Sequence, residues 1–443
     1  MSRVRIVLCF SIIVLAHALA TEKPAPRVEY LDNGTIKIGI DLSIGGSITY
    51  LADSKHLENI INSYDWGRQI QQSYYSGPVP FGEPKPHWKH LGWNPIQSGD
   101  DYRNRAKVLA HSNDGQTLYV KTVPMQWPLN NVPGECEVES WLTLEGAVAR
   151  VRCRLTNRRA DTTQYPARSQ ELPAVYTIGT LWKLMTYTGA APFTNAPLER
   201  IKQVPPGASF PWTAFTATEN WAALVSDQDW GLGVITPGVF RYLGGFAGKE
   251  NTGGVRDAPC GYLAPLRDEI LDHDIAYEYG YELMLGSLEE IRRYAYTRRA
   301  DSRPQFVFRT DRQHWSLRNA RDSGWKLGGA WRVWLEKDGA QLISPECFFA
   351  SGDVPKLYLR ARSNAAGAGR LYWRALEQKD FAAERSISFA LPGDGQFHTV
   401  ELDLSVRPEY AGHVLQLRLD PGVRGAPGHY IEIQSLSSHR PAE

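Results

Sequence analysis

The sequence predicts an all-β protein, a large antiparallel sandwich followed by a smaller sandwich of jelly-roll type, and three observations carry that prediction. Apolar residues recur at every second position in run after run, as half-buried strands require. The runs are separated by turn residues, drawn from 39 glycines and 28 prolines. Helical signals are few, the best being a segment beginning at Ser287 with the cap signature of a helix.

The strand pattern is clearest near the start. Ile36, Ile38, Ile40, Leu42 and Ile44 alternate strictly with polar residues or glycine, and Asp32-Asn33-Gly34 before them reads as a hairpin turn. Gly45-Gly46 then breaks the run before a strand over residues 47–51. Further strands are expected over residues 117–122, 137–144, 147–155, 221–225 and 231–236. Ser287 followed three residues later by Glu290 forms a capping box for a helix over residues 287–296. The polar stretch 298–304, ending in Pro304, reads as a boundary. Beyond it, shorter and more even runs fall at 356–362, 370–375, 385–390, 398–404, 413–419 and 430–433, which favours a second, smaller two-sheet sandwich.

Charge and length bound the function. Forty-nine basic residues face 48 acidic ones, a net charge of +1, so no global field favours nucleic acid or an anionic membrane. Arg3 and Arg5 precede an apolar stretch over 6–15, and Ala18-Leu19-Ala20 supplies a cleavage pattern. Residues 1–20 are therefore read as a signal peptide, its apolar stretch too short for the roughly 20-residue span of a membrane helix, with a secreted or periplasmic mature chain and no membrane span. Cys136, Cys153, Cys260 and Cys347 show no C-x-x-C spacing, hence no zinc or redox signature. Cys136 and Cys153 flank a hairpin turning near Glu145-Gly146, where either a disulfide or two buried thiols would fit.

Residues 65–77, Asp-Trp-Gly-Arg-Gln-Ile-Gln-Gln-Ser-Tyr-Tyr-Ser-Gly, crowd planar hydrogen-bonding groups and aromatic rings into one segment. Sugars present hydroxyls for Asp, Arg and Gln to hold and C–H faces for rings to cover, so the run reads as part of a carbohydrate cleft. Arg68, Gln71, Tyr74 and Tyr75 are its candidate substrate contacts. A second run supplies His87, Trp88, Trp93 and Asp101, with His90 beside them. Glycoside hydrolysis needs two carboxyl groups in different protonation states, and Asp65, Glu171, Asp100 and Glu219 are the candidates. Each also has a structural reading: a turn cap for Asp65, a solvated loop pair for Asp100-Asp101, and acids flanking strands for Glu171 and Glu219. A polysaccharide lyase would instead use Tyr74, Tyr75, His87 or His90 for proton transfer and Arg68 to neutralise a uronate.

The Gly45-Gly46-Ser47-Ile48 step, the Gly67-Arg68 element before polar amides and the long strands up to about residue 300 resemble the galactose-mutarotase-like supersandwich group, which includes aldose epimerases and sandwich domains of glycoside hydrolases and polysaccharide lyases. In the epimerases the arginine of the glycine-arginine run contacts sugar oxygens, which the resemblance transfers to Arg68. A catalytic histidine and late glutamate of the epimerase kind are not located here, which speaks against simple mutarotation. The C-terminal region resembles jelly-roll modules of secreted carbohydrate-active enzymes through Leu371-Tyr372-Trp373 and the alternating run 415–420. Its Tyr372 and Trp373 would stack on glycan, or the module would only pack against the first.

The expected organisation is a signal peptide over 1–20, a supersandwich over 21–303 and a jelly roll over 304–443. The expected function is a secreted glycoside hydrolase acting on carbohydrate through paired carboxylates, with a lyase or a non-catalytic glycan-binding protein as alternatives. No cofactor or catalytic metal is implied; acidic loops leave room for a structural calcium, without EF-hand spacing.

Overall fold

The computed structural model describes residues 27–77, 88, 94–202 and 212–441. The signal segment, His87, His90 and Trp93 lie outside the described residues. No helix of the described residues is long and apolar enough to cross a membrane.

Four antiparallel sheets make up the fold. Two large ones face each other. In the first, the strands run in the order Val28–Asp32, Ile36–Asp41, Ser47–Asp53, Ile70–Ser73, Tyr165–Ile178, Cys260–Leu271, Arg241–Ala247 and Thr213–Thr216. The second runs from Glu199–Arg200 through Ala276–Ser287, Val148–Asn157 and Cys136–Glu145 to Lys107–Asn113. Between them lies a continuous apolar layer that includes Ile38, Ile40, Leu51, Val175, Leu263 and Leu283. Two smaller sheets, built from strands after residue 304, close over a separate core containing Trp315, Trp331, Leu359 and Leu417. Each fully buried Leu or Ile removes enough apolar surface to contribute roughly 1.5–3 kcal/mol, so two cores of this kind hold the four sheets together.

The early alternation ends sooner than its spacing predicts. The strand Ile36–Asp41 gives way to a 3-10 turn over Leu42–Ile44, because the Asp41 carboxylate accepts from the Ser43 amide at 2.8 Å and caps that turn. Gly45 and Gly46 follow with φ of +68° and +70°. A Cβ on Gly45 would stand 1.9 Å from the Gln97 carbonyl oxygen, so both the backbone twist and the close approach require glycine.

The helix Leu288–Thr297 starts as its sequence predicts. Ser287 Oγ accepts from the Glu290 amide, and the Glu290 carboxylate accepts from the Ser287 amide at 2.8 Å. Its Ile291 and Ala295 pack on Trp221, Ala223 and Ile235 of the second sheet.

The disulfide option is not realised, and register explains why. Cys136 lies opposite Asn157 and Cys153 opposite Ser140. Four residues at about 3.3 Å each separate them by about 13 Å along the ladder, whereas a disulfide needs Cα atoms within about 7 Å. Both are buried free thiols. In the smaller sandwich Trp373 is fully buried in the core and donates to the Glu409 carbonyl at 3.3 Å, so it is no stacking surface. Tyr372 is half-buried beneath the Arg418 guanidinium, 3.9 Å from the ring centre.

Candidate active site

The outer face of the first sheet is where sequence candidates and unforeseen residues meet. Its central strand, Tyr165–Ile178, pairs with Cys260–Leu271 on one side and Ile70–Ser73 on the other. Glu171 and Tyr176 are five residues apart, which in a regular strand would place them on opposite faces. The register shifts between Glu171 and Val175, and the shift brings both to the same side. Tyr262 marks that side: its hydroxyl donates to Glu171 Oε2 at 2.6 Å, and its ring lies 4.5 Å from the Tyr176 ring and 4.7 Å from that of Trp212. Glu171 is half-buried on the surface, yet its carboxyl sits in an apolar setting. Burial raises its pKa above the ordinary carboxylate value, the Tyr262 hydrogen bond opposing only part of that effect.

Next to it, the Tyr75 backbone amide donates to Gln170 Oε1 at 2.7 Å, and the Tyr75 ring lies under the Arg168 guanidinium, 4.7 Å from the ring centre. Burial and the Glu171 charge push the Tyr75 hydroxyl up to about 12 despite Arg168. Tyr176 and Tyr262 are raised well above 10, again chiefly by burial.

The loop carrying Asp65 and Arg68 runs beside Tyr176, which both charges reach. It is pinned by Asn62, whose amide donates to the Tyr176 carbonyl at 3.1 Å, and by the Gln69 carbonyl, which accepts from the Tyr176 amide at 2.9 Å. Gln69 itself adopts φ +72°. Arg68 Nε stands 3.4 Å from Asp65 Oδ2, its Nη1 donates to the Ala258 carbonyl at 2.8 Å, and its guanidinium covers Tyr64. The Asp65 carboxylate also accepts from the Gly67 amide at 2.9 Å. Burial raises the Asp65 pKa, with Arg68 and the Gly67 amide working against it. Trp88 donates to Asp101 Oδ2 at 2.8 Å and packs edge-on to Trp127, and the Asp101 charge reaches Asp65.

The remaining candidates serve the fold. Gln71 is completely buried; its amide nitrogen donates to the Trp66 carbonyl at 2.8 Å and to the Arg68 carbonyl, and its oxygen accepts from the Ser98 amide at 2.8 Å. An irregular loop leaves backbone groups without ladder partners, and a buried side-chain amide supplies them. Tyr74 points into the core and donates to Asn157 Oδ1 at 2.8 Å. Tyr74→Phe should therefore leave turnover unchanged and cost about 1–3 kcal/mol of stability in a urea titration, the price of an unpaired buried carbonyl. Asp100 is buried and staples its own loop, accepting from the amides of Tyr102, Asn104 and Asn131 at 2.7–2.9 Å. Glu219 is buried too, saturated by Arg292 at 2.9 and 3.2 Å, the Trp221 indole at 3.0 Å, the Phe193 amide at 2.8 Å and the Tyr296 hydroxyl at 2.9 Å. It anchors the helix and has no capacity left for a substrate.

Sequence reasoning missed Arg168, Tyr176, Trp212 and Tyr262. Tyr176 follows Glu171 in an apolar run, and only the register shift, invisible in the sequence, joins the two.

No protein-family model matches the chain, and no curated protein matches it. Solved structures similar to it include a galactose mutarotase-like protein from Lactobacillus casei, 13% identical, covering 59% of this chain and 100% of that one with a TM-score of 0.37. A galactose mutarotase related enzyme from Lactobacillus acidophilus is 11% identical, with 59% and 98% covered and a TM-score of 0.39. A GH36 alpha-galactosidase from Geobacillus stearothermophilus is 10% identical, with 60% and 40% covered and a TM-score of 0.35. These likenesses are of low identity and cover part of the chain, and the chemistry must be read from this chain's own side chains.

Proposed function

We propose that this chain is a secreted or periplasmic glycoside hydrolase acting on an oligo- or polysaccharide, with Glu171 as proton donor and Asp65 as the second carboxylate. The observation that carries the reading is Glu171 itself: a half-buried carboxyl beside the Tyr176 and Trp212 rings, accepting from Tyr262, with its pKa raised by burial. A carboxyl so placed keeps its proton to higher pH and can hand it to a leaving sugar oxygen. Asp65, also raised by burial, has the Arg68 guanidinium 3.4 Å away to favour its charged form and would act ionised, on water or on the sugar. The half-exposed Tyr176 and Trp212 rings would cover a sugar's C–H face.

The lyase reading is weaker on the same face. Tyrosine serves as a base only when ionised, and with its pKa at about 12 Tyr75 is deprotonated on the order of once in 10⁵ molecules at pH 7. Arg68 is occupied by Asp65 and the Ala258 carbonyl.

Digestion of a polysaccharide panel tests the choice. New reducing ends without ultraviolet absorbance are expected. Absorbance of an unsaturated uronate would overturn hydrolysis in favour of elimination, and binding with neither product would make the chain a glycan-binding protein.

A further inference from the structure

Where the two sandwiches meet, a groove of about 940 Å³ opens, within the roughly 300–1,000 Å³ range of ligand sites. Its floor continues the face that carries Glu171. Leu266 lies directly opposite Glu171 in the ladder and lines the groove, and two residues along each strand the Ser169–Asp268 pair does the same. The far wall comes from the smaller sandwich, through Arg318, Glu346, Arg374, Lys379, Phe381 and Arg418.

The groove is held open by contacts on both flanks. Arg312 of the smaller sandwich reaches Asp272 of the larger at 2.6 Å, His314 meets Glu269 at 2.6 Å, and Phe240 packs on Phe348 and Leu415. Its charge is cationic: five arginines and one lysine line it against three carboxylates. Several of these cancel. Arg241 stands 3.5 Å from Asp268, Arg374 3.2 Å from Glu346, and Arg418 binds Asp420 through two contacts of 2.9 and 3.0 Å. Arg318 and Lys379 are exposed and have no ion-pair partner among the described residues; the exposed Asp380 is the only other lining carboxylate.

We propose that this groove binds the continuing chain of an acidic glycan, with Arg318 and Lys379 holding carboxylate or sulfate groups on sugar units beyond the one at Glu171. The proposal rests on the hydrolase reading only for its placement beside Glu171, and it deepens that reading by naming the substrate class. Arg318 ends a short strand and Lys379 sits in a loop of the smaller sandwich, 61 residues apart, which is why no basic tract marks them in the sequence.

Binding tests the groove apart from turnover. An Arg318→Ala/Lys379→Ala double variant, built on Glu171→Gln so that no probe is consumed, is titrated calorimetrically with an oligogalacturonate hexamer, a heparin hexasaccharide and cellohexaose. Neither residue has an ion-pair partner to orphan among the described residues, so the variant should fold as the parent does, which thermal unfolding checks. Binding of the carboxylated or the sulfated probe should weaken about three- to tenfold and lose much of its salt dependence, while cellohexaose binding stays the same. Whichever acidic probe responds identifies the acid group. Unchanged acidic binding in the variant, equal loss with cellohexaose, or no acidic binding by the parent would each overturn the proposal. If the wild-type chain releases no reducing ends from any substrate but the acidic probe still depends on Arg318 and Lys379, the hydrolase reading falls and the groove stands.

Discussion

Glu171→Gln is expected to lower kcat by about 10²–10⁴-fold, the contribution of a positioned general acid, while leaving the melting temperature and glycan binding in place. The amide oxygen can still accept from the Tyr262 hydroxyl, and the volume is conserved, so the sheet has no reason to rearrange. What disappears is the transferable proton. The pH profile gives an independent readout. On the proposed hydrolase reading activity needs Glu171 protonated, so it should fall as pH rises through a value above the ordinary glutamate pKa of about 4.3, the direction that burial imposes. Asp65 must be ionised, so its titration sets the acidic limb. In Glu171→Gln the alkaline limb should vanish from whatever activity remains. A variant with wild-type turnover would remove Glu171 from the reaction.

The periodicity of two made the strands legible, and the Ser287–Glu290 box made the helix legible, because both are local rules that neighbouring residues satisfy by themselves. The candidate site was legible only where local chemistry and tertiary position coincide. Tyr75 lies within reach of the Glu171 charge, and the charges of Glu171, Asp65 and Arg68 all reach Tyr176. The glutamines of the same run look identical on paper, yet Gln69 and Gln71 are consumed inside the fold, because the loop they belong to has backbone groups that no ladder satisfies. Glu219 misleads for a related reason: an acid before a buried strand can serve a cleft or a helix anchor, and the deciding partner, Arg292, lies 73 residues away. The groove cations Arg318 and Lys379 were invisible because each is flanked by unremarkable sequence and only the folding of the smaller sandwich brings them to one wall.

Replacing Arg312 by methionine should cost about 3–5 kcal/mol, read as a drop in the denaturant midpoint, because it removes one partner from a buried ionic network and leaves the other charges without compensation. Arg312 is nearly inaccessible, with Nη1 2.6 Å from Asp272, Nη2 2.8 Å from Asp322 Oδ1, and Nε bonded to Asp322 as well. Asp272 belongs to the larger sandwich and Asp322 to the smaller, and Gln164 donates to both, at 2.9 and 2.6 Å. Trp331, in the second core, donates to Asp322 at 2.7 Å. Burial alone would raise the Asp322 pKa, but the Arg312 hydrogen bonds and charge outweigh it and hold the carboxyl below its usual value. A depressed folded-state pKa contributes stability that is present above the unfolded value of about 3.9 and is lost as pH falls through the folded one. Arg312→Met should therefore flatten the acid limb of the stability curve as well as lower it. Adding Asp272→Asn and Asp322→Asn should restore part of the loss, since the amides remove the uncompensated charge, and the amide oxygen can still accept from Gln164 at position 272 and from Trp331 at position 322. Recovery by the triple variant distinguishes an electrostatic penalty from simple loss of packing, for which the amides would do nothing.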